Sequence, residues 1–192
     1  IEAQSMLKSV VRVNATRQDW NQWQPWEKEP PRRNRALAAI INAQQVITTA
    51  EIAANATYLE FESADGTRFI TAKVIARDDE ANLALLGPAD PKEGAEFFRD
   101  TVAFDLAQPS TQGDMLDILQ VEANGTALLT SGPLQSVELT SSFLPGHQFL
   151  TYMVKASMQS AASSYTLPVT KDGKLAGVLL SYDSKDQICD VA

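Results

Sequence analysis

Apolar residues in this chain recur at every second position over several stretches, and that period restricts those stretches to strands. Val11 and Val13 alternate with Arg12 and Asn14, and Leu59 and Phe61 with Glu60 and Glu62. Ile70, Ala72 and Val74 alternate with Thr71 and Lys73, while Val137 and Leu139 flank Glu138. A period of two sends successive side chains to opposite faces, as a half-buried antiparallel strand requires. Continuous apolar runs at residues 36–41, 83–86 and 177–180 read as strands buried on both faces. Asp65-Gly66, Asn124-Gly125 and Asp172-Gly173 are strong hairpin dipeptides. Many short strands joined by such turns predict an all-β barrel or sandwich with little helix. The helix candidates are residues 49–54, with Thr48 or Thr49 as N-cap, and the extreme C-terminus.

Residues 87–101, rich in Pro, Asp, Glu and Gly, carry little strand pattern and read as an interdomain connection. They divide the 192 residues into a first unit of about 1–90 and a second of about 101–192, each with its own strand set. Residues 20–35 read as a long polar loop, unusual in holding Trp20, Trp23 and Trp26 before a proline pair. The basic cluster Arg32, Arg33 and Arg35 reads as the solvated edge of that loop.

Charge narrows the partners. A net charge of −8 argues against nucleic acid, which needs a basic stripe, and against anionic lipid. No apolar run is long enough to cross a bilayer as a helix. One cysteine, Cys189, forms no internal disulfide, and one histidine, His147, excludes a histidine-built zinc site, so no metal or other cofactor is expected. The first residue is Ile1 rather than Met, which points to a trimmed or processed piece.

Four separated segments resemble, in order and spacing, the HtrA/Deg branch of trypsin-like serine proteases. "SVVRVNA" at residues 9–15 resembles the first strand. "AAIINAQQVITTAEIAAN" at 38–55 resembles the strand-turn-strand that ends in a Thr-Asn-Ala-His-Val-Val signature. "AKVIARDDEANLALLGP" at 72–88 resembles the strand before an Asp-Leu-Ala-Leu-Leu motif. "SYTLPVTKDGKLAGVLLSY" at 164–182 resembles the region of Gly-Asn-Ser-Gly-Gly-Pro. The resemblance implies two packed antiparallel β-barrels, the trypsin-like (chymotrypsin) fold. It also implies a PDZ domain beyond Ala192 and a periplasmic or extracytoplasmic address.

On this resemblance the catalytic histidine falls at Glu51 and the aspartate at Asn82. A carboxylate lacks the two-nitrogen geometry of imidazole, and an amide cannot stabilise an imidazolium. With Pro168 on the family's proline, the serine falls at Tyr165, and the glycines after it become Thr166 and Leu167. Ser164 or Ser163 is the fallback nucleophile if the register is two residues longer there. Bulky residues in place of these glycines predict a poorly formed oxyanion hole. The expectation is therefore a catalytically inactive homologue, no enzyme, that binds protein or extended peptide or serves in assembly. The alternative is a serine endopeptidase with a rearranged active site, Glu51 acting as base for Ser164.

Three further features carry expectations of their own. His147 follows Pro145-Gly146 and reads as an exposed loop residue; Asp78, Asp79 and Glu80 read as an exposed turn, not a metal site. Trp20, Trp23 and Trp26 either fold back over the first barrel or form a homotrimer contact, which the resemblance implies.

Overall fold

The structure, a computed structural model, describes residues 2–158 and 166–192. A short helix α1 (Glu2–Met6) and a 3-10 turn lead into the first barrel. Its strands are β1 (Val10–Arg17), β2 (Arg32–Asn42), β3 (Gln45–Thr48), β4 (Tyr58–Ser63), β5 (Phe69–Asp78) and β6 (Leu83–Pro88). Helix α2 (Ala50–Ala53) separates β3 from β4, and helix α3 (Pro91–Phe97) follows β6. The second barrel holds β7 (Met115–Val121), β8 (Ala127–Ser141), β9 (Gln148–Lys155), β10 (Pro168–Lys171), β11 (Lys174–Asp183) and β12 (Ile188–Val191). Both sheets close, in the orders β1-β2-β3-β6-β5-β4 and β10-β11-β12-β9-β8-β7. Closure leaves neither barrel a free sheet edge.

The pleat explains how a strand such as β1 is buried on both faces. Val11, Val13 and Ala15 point into the first barrel, where they meet Phe61, Val46 and Leu86. Val10 points the other way, joining Leu37 and Ala39 of β2 in the core of the second barrel with Leu116, Ile118 and Val154. One apolar cluster thus welds the two barrels together.

A polar clamp lies on the same face of β1. Glu62 is buried and receives Arg12 Nη1 at 3.3 Å, Asn14 Nδ2 at 2.9 Å and Arg35 Nη2 at 2.5 and 2.6 Å. Arg12 Nη2 also donates to the Glu122 carbonyl at 2.8 Å, tying β1 to the hairpin after β7. Burial pushes the Glu62 carboxyl up, but the hydrogen bonds from Arg35, Asn14 and Arg12 prevail and hold it below its ordinary value.

Sequence expectations are corrected for the C-terminus, the arginine cluster and the indoles, and the connection after β6 gains a helix. The C-terminus is the strand β12, not a helix, because it pairs with β9 and β11 to complete the second barrel. The connection after β6 contains α3, started by Asp90, whose side chain accepts from Lys92 N at 2.8 Å, with Pro91 in the first turn. Phe97 then stacks on Phe61 at 6.4 Å and Phe98 meets it edge to face at 5.9 Å between ring centroids, which anchors α3 to the first core. Arg32, Arg33 and Arg35 are not a loop edge; they form the start of β2, paired with β1. The three indoles do not fold back over the barrel: Trp20, Trp23 and Trp26 are 59%, 92% and 75% exposed.

Candidate active-site cleft

The seam between the barrels opens into a cavity of about 250 Å³ lined from both sides. Thr49, Glu51 and Asn82 come from the first barrel, and Thr166 and Leu180 from the second. The local chain explains the first set. Thr49, just after β3, is extended and is the N-cap residue, so α2 begins at Ala50 with Glu51 in its first turn. Asn82 supplies the acceptors that this helix start needs. Its carbonyl takes the Ala50 N–H at 3.2 Å and its Oδ1 takes the Glu51 N–H at 3.0 Å. Orphan N–H groups at a helix N-terminus require such partners. Asn82 does this from a left-handed backbone, φ 53°, which Asn tolerates better than most residues.

The second barrel meets this corner through hydroxyls. Thr49 Oγ1 and Thr166 Oγ1 lie 3.0 Å apart, both residues buried. Thr166 N–H donates to the Leu179 carbonyl at 3.0 Å, fixing the entry into β10. Its φ is 58°, a left-handed conformation that a β-branched residue rarely adopts. The bend is made here by a threonine, and such strain costs about 1–3 kcal/mol and clusters at functional sites.

Glu51 and Asn82 therefore meet directly, and Thr166 joins them through Thr49. The Glu51 side chain is exposed toward the cavity, and its backbone carbonyl accepts from Arg17 Nη2. Tyr165, Ser163 and Ser164 lie outside the described residues; they immediately precede Thr166 in the chain. His147 does not line the cavity: it sits in the turn after Gly146, with Nδ1 4.0 Å from Glu80 Oε1. Asp78 closes a turn through Oδ1, accepting from Glu80 and Ala81 N–H at 3.0 Å each, while Asp79 pairs with Arg77 at 2.7 Å. Among the described residues no group of acids, histidine and cysteine is placed to hold a metal. Sequence reasoning missed Arg17, Arg35 and the Thr49–Thr166 contact. The hydroxyl pair spans 117 residues, and no local pattern announces it.

The chain matches no protein-family model. Among solved structures, the protease Rv3671c from M. tuberculosis in its active form superposes with a TM-score of 0.73 at 16% identity, over 99% of this chain and 78% of that one. The HtrA-type protease AlgW, solved with a decapeptide, gives a TM-score of 0.68 at 16% identity, over 100% of this chain and 63% of that one. The chain has the trypsin-like fold. Two curated relatives from Arabidopsis thaliana agree in sequence. Protease Do-like 13 is 23% identical over 139 residues, covering 72% of this chain and 28% of the relative. Protease Do-like 3, mitochondrial, is 24% identical over 173 residues, covering 90% and 30%. The chain thus spans less than a third of the curated relatives it matches. One relative's name places it in the mitochondrion, so the resemblance does not single out an extracytoplasmic address.

These comparisons correct one expectation. The reading of this trypsin-like domain as no enzyme rested on residue substitutions at Glu51, Asn82 and Tyr165. Proteins sharing its fold over nearly its whole length include a protease in its active form, and both curated relatives are named proteases. Physically, the substitutions change which groups are present, but the cleft and an exposed carboxylate at its first-barrel wall are in place.

Proposed function

We propose that this domain is a serine endopeptidase with a rearranged active site in the seam between its barrels. The observation that carries the reading is the convergence of Glu51, Asn82 and the Thr49–Thr166 contact on one cavity; in the chain, Ser163 and Ser164 come shortly before Thr166. In this reading Glu51 takes the proton of the attacking serine hydroxyl as its oxygen bonds to the scissile carbonyl carbon. The tetrahedral oxyanion then collapses, the C–N bond breaks, and the departing amine receives the proton from Glu51. Water repeats the sequence to release the acyl group. Asn82 positions Glu51 by holding the first turn of α2 and does not touch substrate.

A carboxylate is a weaker base than imidazole, and general acid–base catalysis contributes about 10²- to 10⁴-fold when well matched. Slow turnover is therefore expected. Incubation with unfolded casein and with a fluorophosphonate probe tests the reading. Labelling and slow cleavage are expected, both lost in Ser164→Ala or Ser163→Ala and strongly reduced in Glu51→Gln. A wild-type protein that neither labels nor cleaves sinks it.

A further inference from the structure

The cleft has a cationic rim that the chemistry above does not use. Strand β1 ends at Arg17 and β2 begins at Arg32, and the antiparallel register sets these two residues directly opposite each other. Thr16 faces Arg33 and Asn14 faces Arg35 in the same ladder. Arg17 and Arg35 line the cavity itself, and Arg33 shares the strand face of Arg35 one pleat further out. Like charges placed directly opposite on paired strands are destabilising, so this arrangement is unfavourable to the fold by itself.

The rim is also not neutralised from within. Arg35 is paired with Glu62, but that single carboxylate also serves Arg12. Among the described residues, Arg17, Arg32 and Arg33 have no carboxylate within ion-pair distance. Arg17 binds only the neutral Glu51 carbonyl and leaves its Nε without a partner. The adjoining loop carries Asp19, Glu27 and Glu29, yet none of them pairs with these arginines. A chain of net charge −8 thus sets the unpaired guanidinium of Arg17 in the cavity wall, with Arg32 opposite it on the paired strand and Arg33 next along β2. At physiological ionic strength charges are screened beyond about 8 Å, so a segment in the cleft meets chiefly the local charges, in which these arginines outnumber the Glu51 carboxylate.

We propose that this rim selects acidic polypeptide: Asp or Glu side chains of a bound segment are paired by Arg17, Arg32 and Arg33. Guanidinium forks match carboxylates in geometry as well as charge, and such pairing relieves the opposed Arg17 and Arg32. The inference names the substrate class for the endopeptidase reading and rests on that site being a peptide cleft, though not on its cutting.

Binding separates the two claims. Two fluorescein-labelled, C-terminally amidated peptides of equal length, one alternating Ala with Glu and one alternating Ala with Gln, are titrated against the protein at low salt and followed by anisotropy. Several exposed ion pairs acting together predict about tenfold tighter binding of the Glu peptide, with the preference shrinking as salt rises. The preference disappears in an Arg17→Gln/Arg32→Gln/Arg33→Gln variant and persists in Arg77→Gln, whose arginine belongs to β5. It also persists in Ser164→Ala and Glu51→Gln, so absence of hydrolysis leaves this inference standing. Equal affinity for the two peptides overturns it, as does a Glu preference that survives the triple variant. A Gln peptide with a free C-terminus that matches the Glu peptide also overturns it, since a chain end would then be the recognised carboxylate.

Discussion

Glu62 is the residue on which the seam depends, because its two oxygens serve three donors from two strands of the first barrel. Removing one partner of a buried charged cluster strands the others, and such losses run to about 3–5 kcal/mol. Arg35 is about half exposed, which places Glu62→Gln at the low end, about 3 kcal/mol by urea denaturation. The pH dependence has a definite sign. Glu62 is held below its ordinary 4.5 in the folded protein, so its contribution is complete above that value and is lost as pH falls through the folded pKa. Asp65, lowered to about 2 by hydrogen bonds from Ser63 and Thr67, acts in the same direction, weakly because it is exposed. Wild-type stability should therefore fall in acid below about pH 4.5 more steeply than that of Glu62→Gln. Parallel curves for the two proteins would remove Glu62 from the account. The sequence shows Glu62 only as the polar member of an alternating strand. Its partners lie 27, 48 and 50 residues away, and no local rule connects them.

At the level of elements, the strands and their turns are legible and the exceptions have physical causes. Period-two alternation at Leu59–Phe61 and Ile70–Val74 lies within β4 and β5, and the run at 36–41 lies in β2, buried on both faces because a second barrel covers it. Asp90-Pro91 is a readable helix start, but α3 is short and its fixation comes from Phe97 and Phe98 packing on Phe61. Helix α2 lies within the stretch marked for helix, with Thr49 as N-cap residue; its N–H groups are satisfied by Asn82, 31 residues on. Where strands cross closely, glycine is required by contact. A Cβ on Gly132 of β8 would run into the Lys155 carbonyl at the end of β9. Gly132→Ala should therefore cost about 1–3 kcal/mol through forced backbone shifts, read as a lowered Tm. An unchanged Tm would mean that the β8–β9 crossing is looser than the structure has it.

At the scale of the whole molecule, a core shared by the two barrels predicts one cooperative unfolding unit. Val10, Leu37 and Ala39 belong by chain to the first barrel and by packing to the second. Leu37 is 1% exposed, and Leu→Ala at such a site costs about 2–5 kcal/mol. Calorimetry of Leu37→Ala should show a single transition at lower temperature, with calorimetric and van't Hoff enthalpies still equal. Two separate transitions would show that the barrels unfold independently and that the shared cluster does not couple them.

The sequence by itself determined the all-β class, the hairpin turns and, through the family resemblance, the two barrels. Those follow from side-chain period and turn chemistry, which act over a few residues. It also marked Glu51 and Asn82 as altered positions, but treated them as losses. Tertiary structure decided that Asn82 holds the Glu51 helix start and that Thr49 and Thr166 meet across the seam. Strand register decided that Arg32 faces Arg17, and that Arg33 and Arg35 face Thr16 and Asn14, instead of fringing a loop. Register is a pairing property of two strands, so neither strand's sequence contains it alone.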